Sequence, residues 1–257
     1  MQVKEGAAKR KPLKVEVFDA LHESILAGRY EAGDWLRQEE ISHRLGVSMT
    51  PVREALDLLV SSGLAERVAY RGVRVLRMSS PDILDSYELR LLLEAAAARK
   101  AAEAISAEQL SGLRALLADE AELTRRGDLP RQREVSRSLH GGIAAASGNL
   151  LLHRIYLEVL KTFPDWMLYE HLYRHPELLV ESVRQEHQEH EGIVDALENN
   201  APELAMSRAV EHVLQRGREL ETYLGIPRHA LELREAQIQH LIPGTRSLTA
   251  IADKETT

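Results

Sequence analysis

The chain has 257 residues and a mass of 28.9 kDa, which corresponds to about two domains at roughly 150 residues each. Hydrophobic residues make up 44% of the sequence, which excludes a wholly disordered protein. There is no cysteine, which excludes disulfides, thiolate metal sites and cysteine nucleophiles. No apolar run approaches the ~18 residues of a membrane span and no signal-peptide core is present, so we expect a soluble, cytoplasmic protein.

The net charge of −7 is distributed unevenly along the chain. Residues 1–78 carry 13 Lys and Arg against 11 Asp and Glu, whereas the remaining residues carry 20 against 29. Charges more than roughly 8–10 Å apart are largely screened at physiological salt, so an acidic second part does not exclude a nucleic-acid-binding first part. The asymmetry predicts two parts with different partners.

After a polar tail over residues 1–12, the first part has the pattern of a helix-turn-helix. Apolar residues at helical spacing predict a helix over residues 15–26 and a short one over 39–45. A third helix is expected to begin at Ser48, a favoured capping residue, with Pro51 in its first turn. The spacing alone leaves any small helical hairpin as an alternative.

Two short runs follow the third predicted helix and contain β-branched residues. They cover residues 64–68 and 73–76 and are joined by a turn that contains Arg71 and Gly72. Glycine there lets the backbone approach a partner closely. A β-hairpin directly after a helix-turn-helix is a wing, so residues 13–78 are predicted to form a winged helix-turn-helix.

The stretch 36–56 includes Gly-Val-Ser-Met-Thr-Pro-Val-Arg-Glu-Ala-Leu over residues 46–56, and Arg-Gly-Val follows at 71–73. These residues resemble the winged helix of GntR-family transcription regulators. The resemblance implies a homodimer that binds double-stranded DNA at an inverted repeat. Met49 departs from the family, which usually has Arg there, so the operator sequence is left open. The predicted DNA-binding residues are Arg37, Ser48, Met49, Thr50, Arg53, Arg71, Gly72 and Arg74.

Arg53 lies on the first turns of the third helix, where side chains reach the major groove. A contact to guanine or phosphate is the functional interpretation, and a solvated surface arginine is the alternative.

From residue 81 onward the pattern is almost entirely helical, which predicts a single all-α bundle. The fold class is therefore mainly α, with a bundle of six to seven helices over residues 81–224. Pro164 is expected to kink the fourth helix. Residues 225–257 are expected to be a tail with one short helix, over residues 230–241. The six predicted bundle helices cover residues 82–104, 106–126, 131–147, 149–173, 177–199 and 202–223.

Three histidines lie on the apolar faces of three different predicted helices: His140, His190 and His212. A lone inward histidine is usually a hydrogen-bonded core residue. Three on separate helices of one bundle can converge into a site for Zn²⁺, Ni²⁺ or a similar ion. The spacing leaves both interpretations open, and His187, three residues before His190, adds an ambiguity.

Arg90 and Glu94 lie four residues apart on the first bundle helix and share a face. They could form a surface ion pair worth a few tenths of a kcal/mol. Leucines surround them, however, which indicates that this face is partly buried. An arginine there could bind a carboxylate through two parallel hydrogen bonds.

Three features of this second part are similar to the FCD ligand-binding domain of the FadR subfamily. They are Glu-x-Arg-x-x-x-Glu at 88–94, His140 followed by Ser-Gly-Asn at 147–149, and His190 followed by His212. The resemblance implies a divalent-metal site at the three histidines and puts Arg90 and Glu94 at the wall of an effector pocket. Many members add a carboxylate four residues before the first histidine, where this chain has Ser136. A neutral hydroxyl is a poor ligand, so the sequence leaves occupancy of the metal site open.

The sequence as a whole predicts a DNA-binding transcription regulator, by default a repressor, controlled by a small organic-acid or sugar-acid effector and not an enzyme. One alternative is a metal-dependent hydrolase with a DNA-binding module, in which Glu186 or Glu189 acts as the base. No metalloprotease-type spacing supports that alternative. A second alternative is a regulator that senses the metal itself.

Overall fold

A computed structural model of the chain describes residues 11–242, which fall into two compact units that meet between Arg77 and Met78. The expected mainly α fold is confirmed. Of the residues expected to form tails, 1–10 and 243–257 lie outside the described range. None of the helices within residues 11–242 is both long and apolar enough to cross a membrane.

The first unit has three helices and a two-stranded antiparallel sheet. Its core consists of apolar side chains from all three helices, such as Leu21, Ile41 and Leu56. Gly46 ends the second helix in the left-handed conformation, with φ at 65°, which glycine adopts without steric cost. The elements are α1 (Leu13–Leu26), α2 (Gln38–Leu45), α3 (Met49–Ser61), β1 (Ala65–Val68) and β2 (Gly72–Val75).

Ser48 occupies the N-cap position of α3, as expected, but its side chain makes no capping hydrogen bond there. Its exposed hydroxyl therefore contributes no helix cap in this structure.

Strand β2 has hydrogen-bonded neighbours on both sides. On one side it pairs with β1, with Glu66 opposite Arg74. On the other side lie residues 33–36, where the Leu36 N–H donates to the Val73 carbonyl at 2.9 Å and the Val75 N–H donates to the Asp34 carbonyl at 2.9 Å. Trp35 is thereby held as a single bridge residue beside Arg74.

The second unit is a helical bundle built around its first helix, α4. That helix begins with a reciprocal capping box between Ser79 and Asp82, which satisfies two backbone N–H groups. It is rich in buried alanines, which let neighbouring helices approach closely. The helices are α4 (Ser80–Ala104), α5 (Ala107–Glu122), α6 (Leu129–Ala146), α7 (Leu150–Thr162), α8 (Asp165–Arg174), α9 (Pro176–Glu198), α10 (Pro202–Leu224) and α11 (Arg228–Ile238).

The fourth predicted bundle helix differs from the expectation, because Pro164 separates two helices, α7 and α8, instead of kinking one. Phe163 before it is extended, with ψ at 137°. The proline ring disfavours helical backbone in the preceding residue, and proline has no N–H to continue the hydrogen-bond ladder.

The segment after residue 224, expected as part of a tail, packs into the bundle as far as residue 242. Leu231 and Ile238 of α11 and Ile242 after it are buried in the same apolar cluster as Tyr87 of α4. The Tyr87 hydroxyl donates to Glu235 Oε1 at 2.8 Å. This bond joins α11 to α4 at a fully buried position.

Gly217 of α10 lies directly against the Tyr87 ring. A Cβ at residue 217 would stand 2.6 Å from the Tyr87 hydroxyl oxygen, which the bond to Glu235 holds in place. We expect Gly217→Ala to lower the free energy of unfolding by about 1–3 kcal/mol through overpacking. Urea denaturation followed by circular dichroism measures it.

Gly112→Ala is the matched control, because a Cβ at this exposed position of α5 meets nothing within 4 Å. Alanine there should stabilise the helix by about 0.5–1 kcal/mol. Equal effects at the two positions would show that the Tyr87 contact does not limit the packing.

Candidate metal centre and nucleic-acid interface

The three predicted histidines converge inside the helical unit. His140 comes from α6, His190 from α9 and His212 from α10, and all three are buried. Their ring centroids lie 4.8–4.9 Å apart, and one nitrogen from each ring falls within 4.8 Å of the others. The distance between Nε2 of His140 and Nε2 of His190 is 3.2 Å.

A different carboxylate stands behind each ring, at Nδ1. Glu94 Oε2 is 3.2 Å from Nδ1 of His140, and Glu120 Oε1 is 2.8 Å from Nδ1 of His190. Glu189 Oε2 is 2.9 Å from Nδ1 of His212. A carboxylate at Nδ1 favours the tautomer that carries its hydrogen there, which leaves the Nε2 lone pair free to bind a metal.

The separation of two of the three ring nitrogens matches that of ligands on a divalent metal ion. A tetrahedral ion with nitrogen ligands at about 2.0–2.1 Å holds those nitrogens roughly 3.3 Å apart. The 3.2 Å between the Nε2 atoms of His140 and His190 is close to that value. If both of these Nε2 atoms carry a lone pair, the two lone pairs repel each other unless a metal ion or a proton lies between them.

The protonation states agree with metal binding at two of the three rings. Burial lowers the pKa of His140 despite the nearby Glu94 carboxylate. Burial and the other two rings lower the pKa of His212 well below its usual value. Burial acts in the same direction on His190, but the Glu120 carboxylate outweighs it and raises the pKa of that ring. The neutral ring is the metal-binding form.

Carboxyl groups outnumber guanidinium groups around the cluster. Burial, together with Glu186 and Glu189, raises the pKa of Glu219 to about 7, although Arg216 opposes it. Buried charge is costly unless it is compensated, and a divalent cation would compensate carboxylates that no arginine balances. Six carboxyl groups lie at the cluster or line the adjacent cavity: Glu94, Glu120, Asp165, Glu186, Glu189 and Glu219. The guanidinium groups of Arg90, Arg137 and Arg216 line the cavity, and Arg133 forms an ion pair with Asp165.

Ser136, which stands where a ligating carboxylate was expected, lies beside a carboxylate from another helix. Its hydroxyl donates to Glu186 Oε1 at 3.1 Å, and the Tyr169 hydroxyl donates to the same oxygen at 3.2 Å. Glu186 is one helical turn before His190 on α9 and is buried. The negative charge missing from α6 is thus present nearby on α9.

Arg90 and Glu94 form a buried pair and not a surface one. Arg90 Nε donates to Glu94 Oε1 at 2.6 Å, and the other Glu94 oxygen faces His140. Burial alone would raise the pKa of Glu94, but Arg90 and His140 together lower it to about 2. Glu94 therefore links the guanidinium of Arg90 to the histidine cluster.

A cavity of about 30 Å³ adjoins the cluster and is lined by Arg90, His140, His212 and Arg216, among others. It has room for about two water molecules. Arg216 is buried and forms an ion pair with Glu219, 2.8 Å away, yet its Nε and Nη2 atoms have no hydrogen-bond partner among the described residues. Arg216 is not among the residues predicted from the sequence, although it lies four residues after His212 and hence on the same helix face.

Two family profiles match the chain, one in each unit. Residues 13–75 match the profile described as bacterial regulatory proteins of the gntR family, and residues 85–215 match the FCD domain. The second match alone covers half of the chain. The chain belongs to the GntR family, with an FCD domain after its winged helix.

The relatives of this GntR-family protein are regulators, not enzymes. It is 30% identical over 204 residues to the "Probable D-xylose utilization operon transcriptional repressor" of Paenarthrobacter nicotinovorans, covering 77% of this chain and 84% of that protein. It is 32% identical over 165 residues to the uncharacterized HTH-type transcriptional regulator YieP of Escherichia coli, covering 56% of this chain and 72% of that one. These relatives confirm a transcription regulator and contradict the hydrolase alternative.

A solved structure shares the fold. The chain matches E. coli McbR/YncC with a TM-score of 0.60 and 22% sequence identity, over 83% of this chain and all of that one.

In the winged helix of this regulator, most of the predicted DNA-binding side chains are exposed. Met49, Thr50 and Arg53 lie on the outer side of α3, and Arg71 and Gly72 on the wing turn. Arg37, Met49, Arg71 and Gly72 line one groove of this unit. Arg74 differs, because it is half-buried and its Nε donates to Glu66 Oε1 at 2.7 Å.

Proposed function

We propose that this GntR-family regulator is a repressor that binds an inverted-repeat operator as a homodimer and is released by a small carboxylate effector. A divalent metal ion, Zn²⁺ or Ni²⁺, held by His140, His190 and His212 is part of the proposed effector site. DNA binding and regulation of transcription belong to the family. Repression as opposed to activation, the homodimer, the metal and the effector are what we propose.

The name of the Paenarthrobacter relative supports the repressor assignment, since that protein is called a transcriptional repressor. A two-fold protein matches a two-fold operator, which supports a homodimer with one winged helix on each half-site.

The observation that carries the metal proposal is the convergence of the three rings with a carboxylate behind each one. Carboxylates at Nδ1 orient histidine ligands and raise their basicity. When bound, the metal would supply positive charge and an open position for an anionic oxygen. The buried carboxyl group of Glu186 beside Ser136 supports a site that tolerates Ser136 in place of an acidic ligand.

The effector proposal depends on the cavity wall beside the histidines. Arg90 and Arg216 both line the cavity, and guanidinium groups pair with carboxylates through parallel hydrogen bonds. Glu94 holds Arg90 in position and links it to His140. A ligand carboxylate in this cavity would therefore meet cations from two different helices, α4 and α10.

The size of the cavity favours a second candidate, in which the metal itself is the signal. A space of about 30 Å³ does not admit an organic acid unless the lining residues move. A metal ion needs no such rearrangement. DNA affinity measured with metal alone, with acid alone and with both separates the two candidates.

The metal proposal predicts a specific pattern of thermal stabilisation. For protein stripped with chelator, adding Zn²⁺ or Ni²⁺ at about 100 times the Kd should stabilise the folded state by about 2.7 kcal/mol. His212→Ala should abolish the rise in melting temperature, and Glu189→Gln should weaken metal affinity about 10–100-fold. Differential scanning calorimetry and elemental analysis measure these effects.

His229→Ala is the control, because this histidine is exposed on α11. It should retain the full metal response. A wild-type protein that contains no metal after purification and shows no rise in melting temperature would make the three histidines structural.

The DNA-binding proposal predicts that Arg53→Ala weakens operator binding by about 1–3 kcal/mol, because Arg53 is exposed on the first turns of α3. Fluorescence anisotropy with a labelled operator duplex measures the change. Arg184→Ala, an exposed arginine of α9 in the helical unit, should leave the affinity unchanged. Wild-type affinity in the Arg53 variant would remove this residue from the interface.

The effector proposal predicts that organic or sugar acids release the wild-type protein from its operator but fail to release an Arg90 variant. Because Arg90→Ala alone would leave Glu94 buried without its cation, the double variant Arg90→Gln/Glu94→Gln is the better test. Glu94→Gln alone is the reference for the double variant, since both lack the carboxylate at Nδ1 of His140 and they differ only at Arg90.

We expect the half-releasing acid concentration to rise at least about tenfold in the double variant, the equivalent of about 1.4 kcal/mol. The result that contradicts the proposal is an uncharged effector, or release of the double variant at the wild-type concentration.

A further inference from the structure

Three arginines surround one indole on the winged-helix unit. The guanidinium carbons of Arg37, Arg71 and Arg74 lie 5.7, 5.4 and 5.9 Å from the centroid of the Trp35 ring. Each distance is within the range of a cation–π interaction.

The backbone holds this ring in a defined place. The Asp34 carbonyl accepts a hydrogen bond from the Val75 N–H, and the Leu36 N–H donates one to the Val73 carbonyl, so the backbone on both sides of Trp35 is bonded to strand β2. The arginines reach it from three different elements. Arg37 is the N-cap residue of α2, Arg71 belongs to the wing turn, and Arg74 lies in β2.

Two of these three cations lack a carboxylate partner. Arg74 pairs with Glu66, whereas neither Arg37 nor Arg71 forms an ion pair with any residue between 11 and 242. Both side chains are exposed. Two like charges beside one ring repel each other, and the attraction of each to the indole face opposes this repulsion. An anion is the natural complement of such a pair.

The position of the pair indicates which anion this is. Arg37, Arg71 and Trp35 line a groove together with Met49, the first residue of α3. The exposed carboxylates of Glu39 and Glu40 line the same groove, and neither forms an ion pair with Arg37 or Arg71 in the described part of the chain. Helix α3 is the second helix of the helix-turn-helix, which enters the major groove with its N-terminal residues against the bases. Met49 brings no charge to this groove. The anion beside it in a DNA complex is a backbone phosphate.

We propose that Trp35 is a positioning residue for DNA binding: its indole holds Arg37 and Arg71 together as a cationic pair that binds the phosphates flanking the bases read by α3. This arginine pair supplies positive charge to the groove, whereas Met49 supplies none. This role rests on the DNA binding of the family and is independent of the proposed metal and effector.

The test uses the full-length protein and a labelled duplex that the wild type selects from a random pool. The Kd is measured over a series of salt concentrations for the wild type, Trp35→Leu, Trp35→Phe and Arg37→Ala/Arg71→Ala. Each phosphate contact contributes about 0.9 to the slope of log Kd against log salt. Trp35→Leu should therefore lower the slope by about 1–2 and weaken binding about tenfold or more at low salt.

The comparison between Leu and Phe separates positioning from packing. Leucine keeps an apolar side chain without a π face, whereas phenylalanine keeps a face, so Phe should retain more of the slope than Leu. Trp35→Leu added to Arg37→Ala/Arg71→Ala should cause no further loss, because the ring acts through those arginines. Thermal midpoints from circular dichroism check the fold of each variant.

A wild-type salt slope in a folded Trp35→Leu variant would overturn the proposal. So would a further loss of affinity when Trp35→Leu is added to the double arginine variant, since the ring would then act by a different route.

Discussion

The carboxylates at Nδ1 of the three histidines constrain the rest of the helical unit. They come from α4, α5 and α9, while the rings come from α6, α9 and α10, so these contacts tie five helices together. Each contact fixes which nitrogen of the ring faces the common centre. The same contacts bring negative charge into the bundle interior, and the neighbouring arginines have to be buried with it because an unpaired interior charge is costly.

The buried arginines connect the histidine cluster to the adjacent cavity. Arg90 shares Glu94 with His140, and its guanidinium also lies 4.3 Å from the centroid of the Phe163 ring. Phe163 is the residue at which Pro164 separates α7 from α8. A ligand that moves Arg90 would therefore disturb both the histidine cluster and this helix boundary. The small volume of the cavity makes some movement of this kind necessary for any organic effector.

In the winged-helix unit, the charged side chains that matter for binding lie on the surface. Its net positive charge is small, but arginines from α2 and the wing turn meet beside one indole near the start of α3. Local convergence of charge matters more for DNA binding than the net charge of the chain, because salt screens the acidic remainder. The sign of the total charge, −7, is consequently a poor guide to what this protein binds.

The sequence by itself determined the helix-turn-helix, the wing, the helical bundle and which three histidines lie on the apolar faces of their helices, but left open whether these rings converge. Those features depend on local periodicity, turn residues and motif spacing, which act over a few residues. It also showed that Ser136 replaces an expected carboxylate, but not that Glu186 lies beside it, because that contact joins residues 50 positions apart.

Only the tertiary structure decided which carboxylate stands behind each ring and that Arg90 and Glu94 are buried. Glu120 is 70 residues before His190, and no local pattern relates the two. The same holds for Trp35, whose arginines gather only when the wing folds beside residues 33–36. Pairings of this kind depend on how whole helices and strands pack, so the linear order of the residues does not reveal them.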